Sequence, residues 1–437
     1  MRALKRALRN KGWVSILRRG KMIVQRYGIT SKNMKANLEL LEKILDKYGC
    51  GATLPIPAAV LERHGKQVMQ EFNNQCFEFA IHGFVHNDYS TLSRHEQEEQ
   101  LQKAMEIFND LGVNAEGFRG PYLGWNEDTL AVLRNAGIAY DSDETFIRDV
   151  IDGDMFPARC WSAYHKVLGM YKPKNASEYI VIPHIVNGLV RIPVSLPDDE
   201  MLVDRLNITG SEIGEVWKDM LDESYERGEL FTLQLHPERI RICARALETV
   251  LAESRNRNPG IWIAQLREIA DWWKERSKFC MEIEERKNKE YAVNIESSEE
   301  ATILLKNIEN EGAKEWYGGY KRMDSNSKRF KFEVKSSFPP FIGVCPGAPE
   351  GFVSFLKEEG FYVEESTAKD KFKIYFDFEH SDFEEKDKLS IVRKIDGSDA
   401  PLVRIWRWPW GARSALSITG DIDAMSVWDY VIRIIGK

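Results

Sequence analysis

The chain has 437 residues, 43% of them hydrophobic and 30% charged, with a net charge of -7 and a pI near 5.8. That length supports a sizeable core in about two to three domains, and the mildly acidic balance carries no footprint of general nucleic-acid binding. No apolar run reaches the roughly eighteen residues of a membrane-spanning helix, and Cys50, Cys76, Cys160, Cys243, Cys280 and Cys345 are scattered without a C-x-x-C pair, which reads as reduced thiols in a cytosolic protein.

Residues 1–28 carry nine Lys or Arg and no acid. The charges interrupt every apolar stretch, so this basic segment lacks the continuous apolar region of a secretory signal. It reads as a helix packed on the domain, or as a peripheral contact with an anionic membrane surface. The expected location is cytoplasmic, at the membrane surface if that contact is made.

From 29 to 277 the pattern alternates helix and strand, which predicts an α/β domain with a largely parallel sheet. NLELLEKILDKYG places Leu38, Leu41 and Leu45 on one helical face, with Gly49 as the stop. ATLPIPAAV reads as a buried strand entering a turn, and FEFAI as the next strand. SRHEQEEQLQKAMEIFNDLG opens with Ser93 and Glu96 as a capping box. EGFR, NEDTLAVLRNAG, YIVIPHI, LVRIPVSL, LFTLQLH, and GIWIAQL with REIADWWKER continue the strand and helix order. The sum is a β/α barrel, distorted or incomplete. From 278 to 400 the runs shorten and alternate in polarity, predicting a smaller β-rich accessory domain. Residues 401–437 end the chain with ALSITGDIDAMSVWDYVIRIIGK, a strand and a helix.

Polar residues recur just beyond strand ends. His82 and His86 follow FEFAI, Arg119 follows EGF, His236 follows LFTLQL, and Asp421 and Asp423 follow ALSIT. Parallel β/α folds build active sites at those C-terminal ends. Two imidazoles and a carboxylate suffice for a zinc-like ion with open positions, which is hydrolase chemistry. The D-x-D step sends both carboxylates to one side of an extended segment, so one can bind metal while the other remains a base.

Taken together, IHGFVHNDYS, FRGPYLGWN, LQLHPE and LSITGDIDA resemble the polysaccharide deacetylases, the NodB-homology carbohydrate esterases of family 4, which remove N-acetyl groups from chitin-like and peptidoglycan sugars. The resemblance covers about residues 35–275 and 412–437. It implies a divalent ion, foremost Zn2+, held by Asp423, His82 and His86, with Asp421 as general base. It further implies His236 as the acid for the leaving amine, Arg119 as the partner that orients the base, and the Tyr122 backbone N–H as an oxyanion donor. Trp125 and Tyr122 are candidates for a sugar-stacking wall, and Asp141 and Asp143 for tuning the acid. Asp198 and Asp199 read as a polar loop.

One departure from the family order is plain. There the aspartate motif opens the domain, whereas here it closes the chain. Joining the end of the chain to its beginning restores the order, so the expectation is a circular permutation with the barrel's first strand supplied by the C-terminus, or by a neighbour in a swapped homodimer. The implied substrate is an N-acetylated sugar or glycan precursor. A small cyclic amide or imide, or a catalytically silent glycan-binding role, are the alternatives.

Overall fold

The computed structural model describes residues 23–24, 26–72, 75–324, 327–377 and 383–435. Most of the basic segment 1–28 therefore lies outside the described residues. Among those described, no helix is long and apolar enough to cross a membrane.

The barrel strands are made from runs buried at every position: Ala52–Ile56, Phe77–Ile81, Leu230–Leu235 and Ser414–Gly420. Burial on both faces suits parallel strands covered by helices. The sheet runs from Leu230–Leu235 to Ser414–Gly420, then Ala52–Ile56, Phe77–Ile81, Gly117–Phe118 and Tyr140–Asp141, every pairing parallel. Tyr140–Asp141 pairs with Leu189–Arg191, and their continuations Thr145–Ile147 and Val194–Leu196 pair in turn. Val194–Leu196 then meets Leu230–Leu235 at Ser195 and Leu233, so the ribbon closes on itself. Between the two half-strand pairs the register slips by one residue, from Asp141↔Arg191 to Thr145↔Val194. That extra residue acts as a bulge and bends the barrel wall.

The C-terminal strand is thus a central member of the sheet. Leu230–Leu235 lies along its whole length on one side. On the other, Ile261–Ile263 pairs with its beginning, and Thr53 meets Thr419 near its end. Leu54, Ile56, Phe231, Leu233, Leu416 and Ile418 share the apolar core around it.

Two sequence readings need correction. After Ala52–Ile56 the chain forms a helix, Ala58–Phe72, rather than only a turn; Val60, Leu61, Val68 and Phe72 are buried on it. Its first amides are satisfied by the loop after the next strand, with Ala58 and Ala59 N–H reaching Gly83 and Phe84 carbonyls at 3.0 and 2.9 Å. Orphan helix-start donors are thereby paired. YIVIPHI is largely irregular, and only His184–Val186 forms a strand, antiparallel to Leu189–Arg191.

The region after Phe279 contains antiparallel sheets, as its alternating pattern predicts, and one parallel sheet. Cys280–Glu285, Glu290–Glu296 and Arg329–Lys335 form the first. Ala313–Glu315, Tyr320–Asp324, Thr302–Lys306 and Leu402–Ile405 form the second, so this sheet extends past residue 400. The third joins Ile342–Val344, Val363–Glu365 and Tyr375–Phe376 around the helix Glu350–Glu358. Buried charges bind this region to the barrel. Glu359 accepts from both Arg404 and Arg407, while Arg276, at the end of the helix Leu266–Arg276, donates to Ile405, Trp406 and Glu358 carbonyls.

Candidate active site

The site forms where three strands stop. Phe77–Ile81 ends at His82, Leu230–Leu235 ends at His236, and Ser414–Gly420 leads into Asp421 and Asp423. The last turn is fixed by backbone bonds to both neighbouring strands, Asp421 N–H to Leu235 O at 3.1 Å and Ile422 N–H to Pro55 O at 2.8 Å. Gly420 admits this close packing, because a Cβ there would lie 2.9 Å from the Leu54 side chain. After His82 the chain turns at Gly83, whose φ of +73° is one that glycine adopts without strain.

His82, His86 and Asp423 converge. Asp423 Oδ1 is 3.6 Å from His82 Nε2 and 3.1 Å from His86 Nε2. His82 Nδ1 lies 2.7 Å from the Arg119 carbonyl, so Nδ1–H donates there and the Nε2 lone pair faces inward. Burial pushes the His86 imidazole down to about 4, which keeps it neutral. Burial opposes the charge on Asp423, but His86 and the Arg433 guanidinium overcome it and hold the carboxyl well below the usual range. Asp423 Oδ1 is buried yet accepts no hydrogen bond. The inward-facing His82 Nε2, the neutral His86 imidazole and an anionic oxygen without a donor form a donor set that fits a divalent cation, with His82, His86 and Asp423 as its ligands.

Asp421 is held on both oxygens. Arg119 Nη1 donates to Oδ1 at 2.9 Å, and Gln234 Nε2 to Oδ2 at 3.1 Å. Arg119 is fully buried and is itself fixed by Ser142 O, Ser142 Oγ and Thr419 Oγ1. Its guanidinium therefore positions the carboxylate rather than merely neutralising it.

His236 has a different partner from the ones the sequence suggested. Asp199 Oδ1 is 2.6 Å from His236 Nδ1, and Asp199 Oδ2 accepts the His236 backbone N–H at 2.8 Å. Burial would lower the histidine, yet the Asp199 carboxylate raises it well above its ordinary range. Asp141 and Asp143 are occupied elsewhere: Asp141 pairs with Arg191 at 3.1 Å, and Asp143 accepts the Gly120 N–H. The polar-loop reading of Asp198 and Asp199 is corrected accordingly. Both are buried, and Asp198 Oδ1 accepts the Met201 N–H.

Tyr122 stands at the cleft mouth, 43% exposed, its ring edge-on to His86 at 4.5 Å between centroids. Trp125 does not join it. The Arg191 guanidinium lies 3.9 Å from the Trp125 ring centre, so that face is covered by a cation and closed to a sugar. The cleft is lined instead by Tyr122, Leu123, Tyr171, Glu200, Gln234 and Arg433 around His82, His86, His236, Asp421 and Asp423.

Gln234 and Arg433 were not singled out from the sequence. Gln234 sits two residues before His236 on a strand, hence on the same side, a signal available from period two alone. Arg433 comes from the C-terminal helix Val427–Ile435 and donates to Asp423 Oδ2 at 2.6 Å and to Tyr122 Oη at 2.9 Å. Its helix is anchored through Asp429, which pairs with Arg63 at 2.7 Å and His64 at 3.1 Å.

Part of this chain is similar to known proteins. Residues 27–140 match the family model described as polysaccharide deacetylase. The chain is 24% identical over 249 residues to a peptidoglycan deacetylase of Helicobacter pylori, covering 53% of this chain and 81% of that protein. It is 24% identical over 259 residues to a peptidoglycan deacetylase-like protein of Gibberella zeae, covering 52% and 71%. Among solved structures it is similar to a probable polysaccharide deacetylase from Pseudomonas aeruginosa PAO1, at 20% identity and a TM-score of 0.42, covering 55% of this chain and 73% of that one. The family match contains His82, His86 and Arg119 and ends before His236 and the two aspartates. Residues 27–140 are thus the stretch of this chain that matches the polysaccharide deacetylases.

Proposed function

We propose that the protein is a divalent-metal-dependent N-deacetylase acting on an N-acetylated sugar or glycan precursor, with zinc as its ion. The observation that carries this reading is the meeting of Asp421 and Asp423, from the end of the chain, with His82, His86 and His236 at one mouth of the barrel. When bound by His82, His86 and Asp423, the ion supplies Lewis-acid polarisation of an acetamide carbonyl and makes water nucleophilic near neutral pH. Asp421, fixed by Arg119 and Gln234, takes a proton from the attacking water. His236, kept cationic by Asp199, gives its proton to the departing amine, which leaves poorly as an anion. The Tyr122 backbone N–H is assigned to the developing oxyanion. Relatives named as peptidoglycan deacetylases support a glycan-borne N-acetyl group as the target.

The domain is, on this reading, a circular permutation of the family's order. The two ends of the described chain lie side by side: Val427 N–H donates to Gly28 O at 2.9 Å, and the Tyr27 and Tyr430 rings are 5.4 Å apart. A chain break moved to this point would place the aspartates ahead of the helix Lys32–Tyr48.

The test is acetate release from N-acetylglucosamine oligomers by the zinc-loaded protein and its loss on chelation. Opening of a cyclic imide without acetate release would move the protein to the cyclic-amide class. Neither activity, together with no bound metal, would leave a glycan-binding role.

A further inference from the structure

At the other end of the barrel lies a groove of about 480 Å³, lined by residues of the barrel and of the hairpin around Ala313–Glu315. It opens beside Ile261–Ile263, which pairs with the beginning of the C-terminal strand, whereas Asp421 follows that strand's end. Seven extended residues separate the two by roughly 20 Å. The groove is therefore a different place from the metal-ligand cleft.

Its walls combine indoles with charged hydrogen-bonding groups: Trp262, Trp316 and Trp410 with Arg255, Lys314 and Glu315. Trp410 is 63% exposed, while Trp262 meets it at 5.8 Å and 69° to form a corner. The exposed indole is held by a costly backbone. Its φ is +52°, a left-handed value that a bulky side chain rarely adopts. Neighbouring bonds enforce the conformation. Trp410 N–H donates to Glu300 O at 2.7 Å, Gly411 N–H to Thr302 Oγ1 at 2.7 Å, and Trp316 Nε1–H to Gly411 O at 2.8 Å. Strain maintained to keep a large apolar face in water points to a ligand.

We infer that this groove is a second saccharide-binding site, taking a stretch of oligosaccharide with the apolar face of one sugar on Trp410 and its hydroxyls toward Arg255, Lys314 and Glu315. The chemistry selects this occupant. An indole offers an apolar plane for the C–H face of a pyranose, the surrounding charged groups suit hydroxyls, and a chain of net charge -7 does not attract nucleic acid. The groove's composition carries this assignment independently of the metal ligands. Bound there, a polymer would be tethered while the opposite mouth works on another stretch or another chain.

The test is calorimetric titration of the full chain with N-acetylglucosamine pentamer. Three proteins are compared with wild type: Trp410→Gly, Lys314→Ala, and a doubly disabled catalytic cleft carrying Asp421→Asn and His236→Ala. Glycine accepts the φ of +52°, so Trp410→Gly keeps the fold, and Lys314 is a surface residue whose loss is a fold-safe check. Saturable binding that persists in the disabled-cleft protein, weakens tenfold or more in Trp410→Gly and about threefold in Lys314→Ala supports the second site. Acetate release from a short soluble substrate should be unchanged in Trp410→Gly. No binding in the disabled-cleft protein, or undiminished binding in both groove variants, would overturn it. If the proposed deacetylation fails, no acetate is released by any of these proteins, yet the binding pattern across the groove variants still decides the second site.

Discussion

Two buried polar clusters in this molecule, each built around one carboxylate, differ in satisfaction. Glu359 sits between Arg404 and Arg407, with Arg276 bonded to three nearby carbonyls; its charges meet partners fixed by the chain itself. At the barrel mouth, Asp423 Oδ1 and His86 Nδ1 are buried without a hydrogen-bond partner. A paired cluster holds two parts of a protein together, and breaking one partner leaves a buried charge. An unpaired carboxylate oxygen beside two buried imidazoles is costly to keep unless a ligand completes it. The first cluster belongs to stability, the second to chemistry.

Substitutions can break that contrast. The largest effect is expected from Asp421→Asn, which removes the proposed base but none of the proposed metal ligands. Turnover should fall by about 10² to 10⁴ with zinc retained, as read by steady-state kinetics with metal analysis, and unchanged turnover would remove Asp421 from its role. Glu359→Ala should do the reverse. It leaves two buried arginines without their shared carboxylate and costs about 3–5 kcal/mol in denaturant unfolding, while zinc content and the turnover of the folded fraction stay as in wild type.

A finer separation comes from pH. The His236 value is raised in the folded protein, so the stability its charge contributes is present below its unfolded value of about 6.5 and lost as pH rises through the folded value. Asp199 is depressed, so its contribution is present above about 3.9 and lost as pH falls through the lower folded value. Asp199→Asn should accordingly move the alkaline limb of kcat/KM to lower pH and reduce the plateau by about ten- to a hundredfold. An unmoved limb would detach Asp199 from the acid. The smallest effect is expected from Trp125→Ala, which should cost about 1 kcal/mol through its lost contact with Arg191 and leave KM within about twofold. A large KM increase would restore Trp125 to the substrate wall.

Much of the site is legible in the sequence because parallel strands deliver side chains at their C-terminal ends. FEFAI, LFTLQL and ALSIT are apolar enough to be recognised, and the residues just beyond them, His82, His236, Asp421 and Asp423, meet in space. Asp199 obeys the same rule, following the strand Val194–Leu196, but an acidic pair beside a proline reads equally as a turn. Arg433 is illegible for a different reason: it reaches Asp423 from a helix whose docking depends on Asp429 meeting Arg63 and His64, contacts far apart along the chain. In the fold, the helix Ala58–Phe72 hides behind Pro55 and Pro57, which suggest a turn, although its start is completed by carbonyls of the His82 loop. Trp125 misleads because an aromatic near a site motif carries no record of which face another side chain covers.

The central claim is that a carboxylate from the end of the chain completes a metal centre begun by two histidines near its start. Zinc stoichiometry after exhaustive dialysis, compared between the wild-type chain and Asp423→Ala, tests it most directly. One equivalent in the wild type and none in the variant is the predicted result; a full equivalent retained without Asp423 would contradict it.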